Sequence, residues 1–252
     1  MWLQGTRARF HSGVWAVAEH LTKCIFTLLE NWRTYDGWPA QFKQVLRLPV
    51  VVFVRTCANT PAQLFAQPFP ITTVGHSLGG GVAQLVAAMI HSKSNVREHL
   101  VRFSSCGLVL LRSGGHGGDF KSLFGAISVR CFAFCPAVVA SASFHHALSL
   151  IPHKQLCITT IVVSHDIVPR LSHDSLVQFV QQLAGQGQSR SLPDDPMQVT
   201  GSRVLYCRDV DHELVLHEVP SRDTSHMNLL RGIHLRCNSL SAHFMCNLDS
   251  LA

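Results

Sequence analysis

A short β-branched stretch that runs into a glycine-bounded serine is the feature that most constrains this chain. Ile71–Val74 is typical of a short strand, and the next five residues read Gly75-His76-Ser77-Leu78-Gly79. Gly80–Ile90 follows, is rich in alanine and valine, and predicts a helix. The pentapeptide matches G-x-S-x-G, in which a serine lies on a sharp strand-to-helix turn too tight for side chains at the glycine positions. The order of these segments therefore predicts a serine hydroxyl presented above the end of a sheet.

The rest of the chain alternates helix-like and strand-like segments. Apolar residues at helical spacing predict a helix from Ser12 to about Trp32 and another at Ser172–Leu183, and Pro49 restricts Val45–Val54 to an edge strand. Further strands are predicted at Gly107–Leu111, Val129–Phe134, Cys157–Val163, Val204–Cys207, Leu214–Val219 and Gly232–Leu235. This alternation predicts an α/β fold with a mostly parallel central sheet flanked by helices, and the length favours a single domain over residues 1–252.

Composition narrows the classes of function. Hydrophobic residues make up 47% and charged residues 14% of the chain, which is too apolar for a disordered segment. The net charge of +6 comes from scattered lysines and arginines, so no phosphate-binding patch forms and we expect no nucleic-acid partner. No apolar run reaches the roughly 18 residues of a membrane span, and no secretory signal is evident. The nine cysteines, an odd number, indicate reduced thiols and a cytoplasmic location.

A serine at such a turn cleaves esters only with a base that takes its proton and a carboxylate that orients the base. In α/β-hydrolases these residues follow in the order serine, acid, histidine. Asp166 fits best, because it follows the strand-like Ile161–Val163. Asp174 lies at a predicted helix start, where a negative charge has a structural explanation. The remaining acids lie in a loop-like stretch or a polar turn: Asp194, Asp195, Asp209 and Asp211.

The base is harder to choose, because the chain has 16 histidines. It should follow both Asp166 and the last strand of the sheet. His243 comes after Gly232–Leu235 and fits best, while His226 remains the alternative. Three further histidines are assigned to strands or turns: His212, His217 and His234.

Several stretches resemble the class 3 lipases, α/β-hydrolases that include fungal triacylglycerol lipases and sn-1-specific diacylglycerol lipases. The similarity is strongest at Thr73–Gly81, Arg130–Ser141 and Ile161–Ser172, with fainter matches at His11–Gly13 and Ile233–Phe244. The resemblance implies hydrolysis of fatty-acyl esters of acylglycerols by Ser77 as nucleophile, Asp166 as acid and His243 as base. It implies no metal or organic cofactor, a lipid ester as substrate, and a peripheral membrane or lipid-droplet surface as the setting.

Two departures from the family pattern concern the oxyanion hole and the base. The Leu78 N–H is one expected donor; the other belongs to a turn that Leu3-Gln4-Gly5-Thr6 resembles only as a remnant, with Thr6 as the donor. Ala242 stands before His243, where the family often has an acidic residue. The alternatives are an N-terminally truncated fragment or a catalytically impaired, lipase-like protein that binds lipids or partners. Residues 92–128 and 184–202 are predicted to be loops that form a lid or lipid-facing rim.

Overall fold

The computed structural model describes residues 8–32, 51–54, 70–95, 100–104, 107–111, 128–163, 166–185, 194–210 and 213–219. Within these ranges the helices are α1 (Ser12–Trp32), α2 (Leu78–Asn95), α3 (Ala142–Ser149) and α4 (His173–Leu183), with a 3-10 turn at Val168–Arg170. The strands in the same ranges are β1 (Val51–Val54), β2 (Pro70–His76), β3 (Leu100–Ser104), β4 (Gly107–Leu111), β5 (Ser128–Phe134), β6 (Ala140–Ser141), β7 (Leu156–Val163), β8 (Met197–Gln198), β9 (Arg203–Val210) and β10 (Glu213–Val219).

Six of these strands form one sheet in the order β1-β2-β5-β7-β9-β10. The four central strands run parallel to one another, and β1 and β10 add to the two edges in the antiparallel direction. The predicted α/β class, with a mostly parallel sheet flanked by helices, is therefore confirmed. The predicted edge position of the strand that ends at Val54 is confirmed as well.

Helix α2 forms the centre of the described core. Its residues Ala83, Leu85, Ala87 and Ile90 have no exposed surface, so this helix is buried between the sheet and α1. The hydroxyl of Thr73 on β2 donates to the Ala83 carbonyl oxygen at 3.1 Å, which shows how closely α2 approaches its own preceding strand. Helix α1 packs onto α2 through an apolar face at helical spacing, formed by Val14, Ala18, Leu21 and Ile25.

Two short pairings lie outside this sheet, and they correct the prediction for two loops. Residues 100–104 pair with β4 as an antiparallel hairpin, so the irregular structure predicted there is wrong. In the stretch 184–202, β8 pairs with β6, and residues 198–202 are buried. The Thr200 carbonyl oxygen accepts from Nε2 of Gln84, and Oγ of Ser202 accepts from the Ile158 N–H. These bonds hold residues 198–202 inside the fold, so this part of the stretch is not the exposed loop that was predicted.

The strand predicted at Gly232–Leu235 lies outside the described residues.

Among the helices that the structure describes, none combines the length and the apolar character needed to cross a bilayer.

One titratable side chain is buried in the core of α2. His91 is 2% exposed, and burial lowers its pKa from 6.5 to about 4, because the charged imidazolium loses its hydration there. The folded chain therefore keeps His91 neutral at pH values at which the unfolded chain protonates it. A group of this kind stabilises the fold fully above pH 6.5, and that contribution decreases as the pH falls from 6.5 towards 4.

Replacing His91 with glutamine should remove this pH dependence. We expect the wild-type free energy of unfolding, minus that of His91→Gln, to fall by about 2 kcal/mol between pH 7.5 and pH 5. Urea unfolding of both proteins across this range measures the difference, in which the other histidines cancel. A difference that stays constant with pH would contradict the buried, neutral state of His91.

Candidate active site

The serine of the glycine-bounded turn lies between β2 and α2 in a strained backbone conformation. Ser77 has a φ of 57°, in the left-handed region that residues with a Cβ rarely adopt. Such strain costs about 1–3 kcal/mol and persists only where surrounding contacts enforce it. Here the Ser77 N–H donates to the Phe134 carbonyl oxygen at 3.0 Å, and the Ser77 carbonyl accepts from the N–H groups of Gly80 and Ala137, both at 3.0 Å.

Glycines make this turn possible. A Cβ on Gly75 would lie 2.2 Å from the carbonyl oxygen of Gly79, a distance that no side chain tolerates. A Cβ on Gly81 would lie 2.4 Å from Cγ1 of Val139. The turn is therefore as tight as the sequence motif predicted, and it presents residue 77 at the carboxyl end of β2.

Asp166 lies near the carboxyl end of β7 and has no exposed surface. Its Oδ1 accepts from the Val168 N–H at 2.9 Å, which fixes the carboxylate against the following 3-10 turn. Its carbonyl oxygen accepts from Nε of Arg170 at 3.1 Å, so the guanidinium lies close to the carboxylate. A buried carboxylate needs such partners, because burial otherwise penalises its charge.

Arg170 is itself buried, with 4% exposure. Burial lowers the pKa of its guanidinium, whereas Tyr206 on β9 and the Asp166 carboxylate act in the opposite direction. The side chain thus links the segment after β7 to β9 and places a positive charge beside Asp166. The sequence had indicated Arg170 only as one residue of the stretch Ile161–Ser172.

Cys135, at the end of β5, is a further neighbour of Asp166. Burial raises the pKa of its thiol, and the hydrogen bond and negative charge of Asp166 raise it further. The thiol therefore stays protonated and donates to the carboxylate. Cys135 also has a positive φ of 44°, and its N–H donates to the Ile161 carbonyl oxygen at 2.7 Å. No local sequence pattern connects Cys135 with Asp166, so sequence reasoning missed this contact.

The sheet register brings the ends of these strands together. His76 at the end of β2 pairs with Phe134 on β5, which in turn pairs with Ile161 on β7. Because the three strands are parallel, Ser77 and Asp166 both follow strands at the same edge of the sheet. The two strands, β2 and β7, are two strand spacings apart, or about 10 Å. A single histidine side chain can hydrogen-bond to residues at two strand ends of this spacing.

The remaining candidates divide into described and undescribed residues. Leu78 is the first residue of α2 and is 58% exposed. Asp174 lies in the first turn of α4, as predicted, and its Oδ2 accepts from the Met197 N–H at 3.4 Å. Oδ1 of Asp195 accepts from the Ser143 N–H at 2.7 Å, in the first turn of α3. Three predicted site residues lie outside the described residues: Thr6, His226 and His243.

Two further acids and two histidines complete this account. Asp209 is part of β9 rather than of a turn, and His217 is exposed on β10, as its strand assignment predicted. Asp211 and His212 lie outside the described residues. In the part of the chain that the structure describes, no three His, Cys, Asp or Glu side chains are grouped closely enough to hold a metal ion.

Comparisons with known proteins bear on this arrangement. Residues 60–176 match the family model described as Lipase (class 3), and this segment contains both Ser77 and Asp166 but neither candidate base. No curated protein matches the chain significantly. Among solved structures, the Rhizomucor miehei lipase propeptide complex matches at 12% identity with a TM-score of 0.35, over 70% of this chain. The chain spans 42% of the length of that protein.

The family match agrees with the observed architecture, since a mostly parallel sheet flanked by helices is consistent with an α/β-hydrolase-like lipase fold. The predicted resemblance to the class 3 lipases is therefore confirmed, and residues 60–176 are the part of the chain that carries it.

Proposed function

We propose that this chain is a serine ester hydrolase that cleaves fatty-acyl esters of acylglycerols through Ser77, His243 and Asp166. One observation carries the proposal: a strained serine at a strand-to-helix turn shares its sheet edge with a buried, hydrogen-bonded aspartate. The order serine, aspartate, histidine is that of α/β-hydrolases. The class 3 lipase match over residues 60–176 supports the same chemistry.

In the proposed reaction, His243 accepts the proton of the Ser77 hydroxyl as its oxygen attacks the acyl carbonyl carbon. The carbonyl oxygen becomes an oxyanion, which accepts hydrogen bonds from the Leu78 N–H and from Thr6. Leu78 begins α2, where a backbone N–H has no acceptor within the helix and the helix dipole favours negative charge. His243 then protonates the leaving alcohol. In the second half of the reaction, His243 accepts a proton from water as the water attacks the acyl carbon, and the fatty acid is released from Ser77.

Asp166 would hold His243 in the tautomer that accepts a proton from serine, and would stabilise the imidazolium that forms. Its surroundings suit this role. Val168 and the Cys135 thiol donate to its carboxylate, which fixes the orientation of the side chain. The guanidinium of Arg170 offsets part of the penalty for burying the negative charge.

An apolar substrate fits the surface beside the serine. Leu78 is 58% exposed next to Ser77, and Leu171, five residues after Asp166, is 43% exposed. We propose that Leu78, beside the nucleophile, contacts the acyl chain of the substrate. The setting that we propose is the cytoplasm, with binding to a peripheral membrane or lipid-droplet surface.

Removing the nucleophile is the first test. We expect Ser77→Ala to lose several orders of magnitude of short-chain ester hydrolysis and all labelling by a fluorophosphonate probe, because only oxyanion and binding contributions remain. Ser149→Ala, at an exposed serine whose hydroxyl donates to the His146 carbonyl oxygen, is the matched control and should keep both. If Ser77→Ala kept more than about a tenth of the activity, Ser77 would not be the nucleophile. A wild type that neither hydrolyses the ester nor labels would instead favour the impaired, lipase-like binding protein.

The acid is tested by isosteric replacement. Asp166→Asn keeps an oxygen for the Val168 N–H but favours the wrong tautomer of the base, so we expect turnover to fall roughly 10⁴-fold. Asp174→Asn, in the first turn of α4, should stay near the wild-type rate. Steady-state hydrolysis of a soluble ester compares the two variants. An active Asp166→Asn beside an inactive Asp174→Asn would reverse the assignment.

The choice of base is tested on two histidines. We expect His243→Gln to abolish fluorophosphonate labelling of Ser77, because the hydroxyl then has no base, and His226→Gln to label normally. Labelling rates for the two variants and the wild type decide between them. The opposite result would assign the base to His226, and labelling that survives both changes would contradict the triad.

A further inference from the structure

A closed set of buried hydrogen bonds joins the helix that follows Ser77 to the strand that precedes Asp166. Gln84, on α2, is 1% exposed, and its Nε2 donates to Oγ1 of Thr160 on β7 at 2.7 Å. The same nitrogen donates to the carbonyl oxygen of Thr200 at 2.8 Å. Thr160 donates to that carbonyl at 2.5 Å, and Thr200 Oγ1 donates to Oε1 of Gln84 at 3.3 Å.

The roles of donor and acceptor in this set are unambiguous. The Thr200 carbonyl can only accept, so it must face the amide nitrogen of Gln84 rather than its oxygen. The Thr160 hydroxyl accepts one bond and uses its single hydrogen for another. Gly201 leaves the necessary room, since a Cβ there would lie 2.7 Å from Thr160 Oγ1. Each polar group thus has a partner in an otherwise apolar region of the core.

The position of these residues indicates a role besides stabilising the fold. Gln84 lies two helical turns after Ser77, and Thr160 lies six residues before Asp166. Apolar contacts between a helix and a sheet tolerate small shifts and rotations, whereas directed hydrogen bonds select one arrangement. A shift of α2 along β7 would change the distance between Ser77 and Asp166, and hence the fit of the imidazole between them.

We propose that Gln84 is a positioning residue, which fixes helix α2 against β7 through Thr160 and Thr200 and so sets the spacing of Ser77 and Asp166. This inference rests on the proposed function. Its consequence is a specific kinetic effect: loss of the link lowers the rate of the chemical step more than it weakens substrate binding.

The experiment compares variants that remove or keep the link. Gln84→Met and Thr160→Val remove it with little change of volume, and Thr160→Ser keeps the hydroxyl. Thr73→Val is the matched control, because the Thr73 hydroxyl also bonds α2, through the Ala83 carbonyl at 3.1 Å, but from β2 rather than from β7. For each protein, kcat and KM are measured on p-nitrophenyl butyrate, with the folded fraction taken from thermal unfolding.

We expect Gln84→Met and Thr160→Val to lower kcat at least about tenfold, with KM changed by no more than about twofold, as misplaced reacting groups would do. Thr160→Ser should restore kcat to within about threefold of the wild type, and Thr73→Val should lose stability without losing kcat. If Gln84→Met does not fold, the Thr160→Val and Thr160→Ser pair gives the same test.

Two results would overturn the inference. One is a folded Thr160→Val or Gln84→Met with the wild-type kcat; the other is a loss of kcat in Thr73→Val as large as in Thr160→Val. Either leaves the proposed function standing, because the wild type would still hydrolyse the ester and label with the fluorophosphonate. A wild type that does neither would overturn the proposed function itself.

Discussion

The contact between the start of helix α2 and the end of strand β2 is the constraint on which the described structure depends. The helix can begin directly after the strand only because Ser77 accepts a left-handed backbone conformation and Gly75 has no side chain to collide with residue 79. Once this turn is made, α2 lies along the sheet with most of its surface buried. The sheet, the first helix and the segment after β5 then pack around it, and the same turn presents the serine hydroxyl at the carboxyl edge.

The carboxylate at this edge depends on residues from three neighbouring strands. Asp166 follows β7, Cys135 follows β5, and Tyr206 on β9 interacts with Arg170, which lies beside the carboxylate. These contacts form because the three parallel strands lie side by side. A buried acid with a fixed orientation is therefore a product of the sheet as a whole, not of the short stretch that contains it.

Local sequence patterns correctly predicted the turn at Ser77, the strands that flank it, and the position of Asp166 after a buried strand. These features are predictable because backbone preference and side-chain spacing act over a few residues. Local patterns failed for the stretch 184–202, whose glycines, prolines and polar side chains resemble a loop, although its residues 198–202 are buried. The burial of Thr200 depends on Gln84, more than a hundred residues earlier, and no local pattern contains that pairing. The contact between Cys135 and Asp166 was missed for the same reason.

The burial of thiols affects how this chain responds to oxidants. A thiol is oxidised mainly through its thiolate. Burial raises the pKa of Cys131 to about 12, and burial together with Asp166 raises the pKa of Cys135. Peroxide and disulfide reagents should therefore react very slowly with Cys131 on β5 and with Cys135 just after it while the sheet stays closed. Among the five cysteines that the structure describes, Cys24 and Cys157 are partly exposed and would react first. Modification of Cys131 or Cys135 would therefore show that the central strands have separated, and its rate would measure unfolding of the sheet.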